Sequence, residues 1–145
     1  MPHRNVKEML TTRPVLTLPP EATVREAACE MRRNHIASIV VARDDHVLEG
    51  IFTERDLTDR VVASGLDPDK TSLDRVMTRH PVAIGPDSTV RDALRLMSAN
   101  DVRHLPIVGN DGVTIGMLSA RDFMGEEVAE LEHDRAMVES LVEVL

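Results

Sequence analysis

Thr23-Val24-Arg25-Glu26-Ala27 returns 66 residues later as Thr89-Val90-Arg91-Asp92-Ala93, and this recurrence decides how the rest of the chain is read. Carried outward, the same offset aligns Met31 with Met97, Asn34 with Asn100, Asp45 with Asp111, Val47 with Val113 and Gly50 with Gly116. It also aligns Arg55 with Arg121 and Asp56 with Asp122. Between residues 23–57 and 89–123, 11 of 35 positions are identical without a gap, and many others exchange like for like, as Ile36 with Val102 and Thr53 with Ser119. Upstream, Pro14-Val15 matches Pro81-Val82 at offset 67, so the first copy has gained one residue. The chain is an internal duplication.

Both copies read alike. A short β segment follows each proline (Val15–Leu18; Val82–Ile84), and a turn rich in Pro and acidic residues comes next. Val24, Ala27, Ala28 and Met31 then recur as Val90, Ala93, Leu94 and Met97, an i, i+3, i+4, i+7 pattern that predicts one buried helical stripe ending near Asn34 or Asn100. Two strands follow, Ser38–Ala42 with Val47–Thr53 and His104–Val108 with Val113–Ser119, joined by turns of hairpin chemistry. A second helix begins after Thr53 and after Ser119. The unit is β-α-β-β-α, and one copy alone buries too little surface to stand comfortably by itself. The expectation is a mixed α/β (α+β) fold of two copies packed with pseudo-two-fold symmetry. Its divisions are residues 6–65, a Gly/Pro/Asp linker over 66–72, residues 73–123 opening with a short helix near Leu73–Met77, and an acidic amphipathic helix over 124–145.

Composition narrows the function classes. Hydrophobic residues at 42% and charged residues at 29% are globular values, and no apolar run nears the roughly 20 residues of a membrane span. The polar start points to no export signal, so a cytoplasmic setting without membrane attachment is expected. The single Cys29 excludes an internal disulfide, and with Glu26 and Glu30 nearby it reads as an inert side chain. A net charge of −8, with no Trp or Tyr, argues against nucleic-acid binding. Seven acids face one base, Arg135, between residues 124 and 145, which leaves the body nearly balanced and open to a local anion site. The six histidines lack metal-ligand spacing, and there is no nucleophile elbow, Walker loop or Gly-x-Gly-x-x-Gly, so no enzyme is expected.

Gly50-Ile51-Phe52-Thr53-Glu54-Arg55-Asp56-Leu57 and Gly116-Met117-Leu118-Ser119-Ala120-Arg121-Asp122-Phe123 carry the chemistry. A hydroxyl ends a strand and an Asp stands three residues on, in the first turn of a helix. One reading is a capping box, a spacing that Thr23-x-x-Glu26, Thr71-x-x-Asp74 and Thr89-x-x-Asp92 share. The other is a ligand corner, where helix-start N–H groups favour a phosphate and the carboxylate accepts from ribose hydroxyls. The duplicated context, with an Arg beside each Asp, favours the second.

These segments, together with Pro-Val and the Thr-Val-Arg start, resemble a tandem pair of cystathionine-β-synthase (CBS) domains, the Bateman module, over about residues 6–123. The resemblance implies a non-catalytic energy-sensing module that needs no cofactor. Its clefts between repeats would take adenosine-type ligands: AMP, ADP or ATP, or NAD or S-adenosylmethionine. By position, a first cleft would use Thr53, Arg55 and Asp56 with Pro81, Val82, Val102, Arg103, His104 and Pro106. A second would use Ser119, Arg121 and Asp122 with Pro14, Val15, Ile36, Ala37, Ser38 and Val40. Asp56 would hold ribose, Thr53, Arg103 and His104 the phosphates, and apolar side chains the base. The uncharged second cleft is expected to bind more weakly. A homodimer acting on an unidentified protein effector is expected. The alternative is a ligand-free protein-interaction adaptor.

Overall fold

Four backbone N–H groups at a helix start have no partner inside the helix. In the computed structural model, which describes residues 5–10, 15–123 and 142–144, helix α1 (Val24–Asn34) finds one for each. Thr23 N–H donates to Glu26 Oε2 at 3.2 Å and Glu26 N–H donates to Thr23 Oγ1 at 3.1 Å, a reciprocal capping box. Val24 N–H donates to Thr71 O and Arg25 N–H to Pro68 O. The linker is therefore the cap of α1. It is pinned further by the Arg25 fork on Asp69, at 2.8 and 3.2 Å, and by buried Thr71 donating its hydroxyl to Asp67 O at 2.7 Å. Thr71-x-x-Asp74 is thus not a capping box; the residue that opens the helix after it is Ser72, whose side chain makes no cap bond.

The remaining elements are α2 (Glu54–Asp56, continued as a wider turn over Leu57–Val62), α3 (Leu73–Val76), α4 (Val90–Asn100), β1 (Thr17–Leu18), β2 (Ser38–Ala42), β3 (Leu48–Thr53), β4 (Thr78–Arg79), β5 (His104–Val108) and β6 (Thr114–Ser119). Single 3-10 turns occupy Val6–Met9 and Ala120–Phe123. The mixed α+β architecture agrees with the sequence reading, as does the β-α-β-β-α order in the first copy. In the second copy the expected strand Val82–Ile84 is reduced to a bridge at Ile84, and the described part of the last element is the 3-10 turn Ala120–Phe123. Helices α1 and α4 end where expected, because His35 and Asp101 adopt left-handed conformations (φ 53° and 51°) and Ile36 and Val102 N–H turn back onto Met31 and Met97 carbonyls. At the start of α4, Asp92 accepts the Thr89 N–H at 3.0 Å. That bond holds its carboxyl below the usual carboxylate range, so the cap is lost only as pH falls through the lowered value.

The described residues form two compact units: 15–81 with 111–114, and 5–10 with 82–110, 115–123 and 142–144. Lead-in segments are exchanged relative to chain order. Val6, fully buried, sits in the core that contains α4, with its N–H on Ser88 O. Leu73, equally buried, packs with α1 and donates its N–H to Ala22 O.

In the first-copy unit the sheet runs β1-β2-β3-β4, with β1 parallel to β2 and the other pairs antiparallel. Ile39 and Val41 of β2 and Phe52 of β3 join Val24, Ala27 and Met31 in the core. By the two-residue alternation of strands, Ser38, Val40 and Thr53 occupy the opposite face. The hairpin turn of this unit meets residues 111–114, where Leu48 N–H donates to Gly112 O and Thr114 N–H to His46 O. In the second-copy unit β5 and β6 pair, and Leu105, Ile107 and Leu118 pack on Val90, Ala93, Leu94 and Met97. The helix expected over 124–145 lies outside the described residues except at 142–144, which are helical, with Val144 in this core.

The copies differ in one backbone bond. Val40 N–H donates to Leu16 O at 3.0 Å, helping β1 to run along β2. The residue 66 further on is Pro106, which has no N–H, so the equivalent bond to Val82 O cannot form. There the parallel pairing shrinks to a single bridge, Ile84 with Ile107.

Two substitutions test this packing. A Cβ on Gly50 would lie 2.5 Å from Met77 Sδ and 2.9 Å from Thr78 O, so Gly50→Ala is expected to destabilise by about 1–3 kcal/mol in urea titration. Thr23→Ala, which removes the hydroxyl cap, is expected to cost about 1 kcal/mol in the same assay.

Candidate functional site

Two corners, one in each unit, carry the hydroxyl-x-x-Asp motif. In the first, β3 ends at Thr53, whose extended backbone (φ −121°, ψ 168°) gives way at once to α2. Thr53 N–H donates to Asp56 Oδ2 at 3.0 Å, and Asp56 N–H donates to Thr53 Oγ1 at 3.2 Å. The Asp56 residue is only 8% exposed. Its second oxygen, Oδ1, lies 3.7 Å from Arg60 Nε. Glu54 N–H donates to Ala37 O at 3.1 Å, and Ser38 stands opposite Thr53 in the β2–β3 register. The corner is therefore built on the start of β2 of its own copy.

The second corner repeats the plan. Ser119 N–H donates to Asp122 Oδ2 at 2.7 Å, and the Ser119 hydroxyl accepts from Arg121 N–H at 3.3 Å. Ala120 N–H donates to Arg103 O at 2.9 Å, the counterpart of the Glu54–Ala37 bond. This brings Arg103 and His104 beside Ser119, Arg121 and Asp122. Burial pushes the His104 imidazole down to about 4, and the positive Arg103 and Arg121 push the same way. At neutral pH the ring is uncharged, and two guanidinium groups stand near it.

The capping reading of the motif is thus realised in the geometry, as a reciprocal box at Thr53–Asp56 and through the Asp122 carboxylate on Ser119 N–H in the second corner. An ionised carboxylate offers about four acceptor positions, and the Thr53 and Ser119 N–H groups each take one. Capping and accepting from ligand hydroxyls are compatible on the same side chain.

The other expected site residues fall into three groups. Ser38, Val40, His104 and Pro106 lie on the strand face turned away from their own unit's core, and of these Ser38, Val40 and Pro106 are buried. Ile36, Val82 and Val102 pack partly against those cores, which gives each a structural role of its own. Val15, Ala37 and Pro81 are half-buried, and Pro81 follows His80, whose left-handed backbone (φ 45°) lets its N–H reach Glu49 O. Pro14 lies outside the described residues. Sequence reasoning passed over two things: the neighbourhood of each corner with its own copy's strand start, and Arg60. The 66-residue offset was silent on the first. The four-residue spacing from Asp56 to Arg60, one helical turn between opposite charges, was the available signal for the second.

Among the described residues no group of three or more His, Cys, Asp or Glu side chains is placed to hold a metal ion. None of their helices is long and apolar enough to cross a membrane.

A family model for the CBS domain matches the chain twice, over residues 6–63 and 73–128. A CBS domain-containing protein of Arabidopsis thaliana is 33% identical over 129 residues, which are 89% of this chain but only 23% of that much longer protein. A 17.7 kDa protein of Acidianus ambivalens is 37% identical over 117 residues, covering 81% of this chain and 69% of its own. Among solved structures, a CBS domain protein of Pyrobaculum aerophilum complexed with AMP is 29% identical with a TM-score of 0.78, covering 95% of this chain and 98% of that one. The doubled β-α-β-β-α unit, its two Asp corners and these matches lead to one conclusion: the chain belongs to the CBS domain family and carries two CBS domains in tandem.

Proposed function

We propose that this CBS pair is a regulatory module that binds an adenosine-type nucleotide, AMP, ADP or ATP foremost, and signals its occupancy to a partner protein. The observation that carries the reading is the paired Asp corner. Asp56 and Asp122 each accept a backbone N–H at a strand-to-helix turn, which fixes a carboxylate of the kind that accepts from the two hydroxyls of a ribose. The AMP complex of the Pyrobaculum relative supports the choice of ligand class.

The phosphates belong with Ser119, Arg121 and Asp122, since Arg103 and His104 stand in the same unit and the equivalent first-copy positions are the uncharged Ala37 and Ser38. Two guanidinium groups near an uncharged ring suit an anion. Val82 O, denied its strand donor by Pro106, is an acceptor suited to an amino group on the base. The homodimer and cytoplasmic setting expected from the sequence are part of this reading, and it assigns no reaction to the chain. A ligand-free interaction adaptor is the reading that follows if no nucleotide binds.

Thermal melting with AMP, ADP, ATP, NAD and S-adenosylmethionine decides between them. A nucleotide at 100 times its dissociation constant is expected to stabilise the protein by about 2.7 kcal/mol. No shift with any of the five overturns the nucleotide reading. Asp122→Asn is expected to weaken AMP binding in calorimetry at least about tenfold, while stability changes by about 0.5–2 kcal/mol, the scale of a cap.

His104 supplies a pH test. The unfolded chain takes up a proton on this ring near its ordinary 6.5 and the folded chain only near 4, so the contribution to stability is complete above the first value and is lost as pH falls towards the second. The expected loss is about 3 kcal/mol across that window, and His104→Gln should flatten the slope. A phosphate seated by the ring favours its charged form, so AMP binding near pH 5.5 should take up protons, measured as buffer-dependent heats of binding. Equal heats in buffers of different ionisation enthalpy would remove His104 from the phosphate site.

A further inference from the structure

Arg60 makes three contacts that the nucleotide reading does not use. Its Nε lies 3.7 Å from Asp56 Oδ1, and its Nη1 donates to Val76 O at 3.1 Å and Met77 O at 3.0 Å. The two carbonyls are those at the end of α3, a four-residue helix whose last acceptors have no partner within it. A guanidinium can serve both and still face a carboxylate, because its donors diverge in one plane. Beyond the fork the chain is built into the sheet: Met77 is buried against Gly50, Thr78 and Arg79 pair with Ile51 and Gly50, and His80 N–H donates to Glu49 O. Strand β3 then runs from these residues back to Thr53. The contacts close a ring: Asp56, Arg60, the end of α3, β4, β3 and the Thr53 corner again.

We infer that Arg60 is a positioning residue that couples the Asp56 carboxylate to the Val76–Met77 backbone, so that a nucleotide at the Asp56 corner changes the mobility of the segment 76–80 leading into the second copy. This rests on the reading of Asp56 as a ribose acceptor. The coupling is specific to the first copy, because the residue 66 positions after Arg60 is Glu126, an acid with no donor to offer a backbone carbonyl. Occupancy steadies Asp56, Asp56 steadies Arg60, and the fork passes the constraint to the two carbonyls. Exchange of the Met77 and His80 amides, bonded to Leu73 O and Glu49 O, reads the result.

The test is calorimetry and amide hydrogen exchange with AMP on the full chain in an Asp122→Asn background, where the Asp56 corner is the one read. AMP is expected to slow exchange of the Met77 and His80 amides several-fold. Arg60→Gln is expected to weaken AMP about tenfold, within the range usual for coupled sites, and to abolish that protection even at saturating AMP. Arg60→Lys keeps a charge beside Asp56 without the planar fork, and is expected to recover part of the affinity and none of the protection. If Arg60→Gln binds AMP with unchanged affinity and the same protection, the inference falls and the nucleotide reading stands. If the Asp122→Asn protein binds no AMP, the ribose role of Asp56 falls and the inference with it.

Discussion

Orphan N–H groups at the points where this chain enters a helix are the constraint on which most of its architecture depends. Burying such a group unpaired costs about 1–3 kcal/mol, so each helix start must recruit acceptors, and the choice of acceptor decides what else is held nearby. At α1 the acceptors are Thr23 and the linker carbonyls of Pro68 and Thr71, which draw the linker onto the first copy. At the ends of β3 and β6 the partners are Ala37 and Arg103 carbonyls and the Asp56 and Asp122 carboxylates, which draw each corner onto its own strand start. The same bonds that stabilise the turn also place an acidic side chain where a ligand could use it.

Much of this was legible in the residues. The stripe at Val90, Ala93, Leu94 and Met97 is buried as its spacing required, and Val24, Ala27 and Met31 follow suit, while Ala28 is only half-buried at the edge of its stripe. Asn34 and Asn100 close their helices because the next residue takes the left-handed turn. The limits of the four hairpin strands came within a residue, since apolar alternation and turn chemistry agree there. The lead-in strands fell short, Val15–Leu18 to Thr17–Leu18 and Val82–Ile84 to a single bridge at Ile84. The family resemblance named on these motifs is the family the chain belongs to.

What could not be read came from bonds whose two ends lie far apart along the chain. Nothing local in Val6 or Leu73 says which copy will bury it, because both are simply apolar residues at a helix start, and the exchange of lead-in segments emerges only from the backbone bonds to Ser88 and Ala22. Likewise the resemblance grouped Arg103 with Thr53 and Asp56. The backbone bond from Ala120 that sets it next to the Ser119 turn has no local signature, since a basic residue at a strand start looks the same whichever hydroxyl it ends beside. Arg60 was overlooked because a charged residue on a helix is usually a solvated one, and only its carbonyl contacts set it apart.

Pro106 shows what duplication makes affordable. A single-copy protein that lost a rung of its sheet would simply be weaker. In a doubled chain the first copy keeps the rung, through Val40 and Leu16, and the template of the fold with it. The second can then give up the same rung without loss of the template, so that the two copies diverge by subtraction of one backbone bond, with no new side chain required.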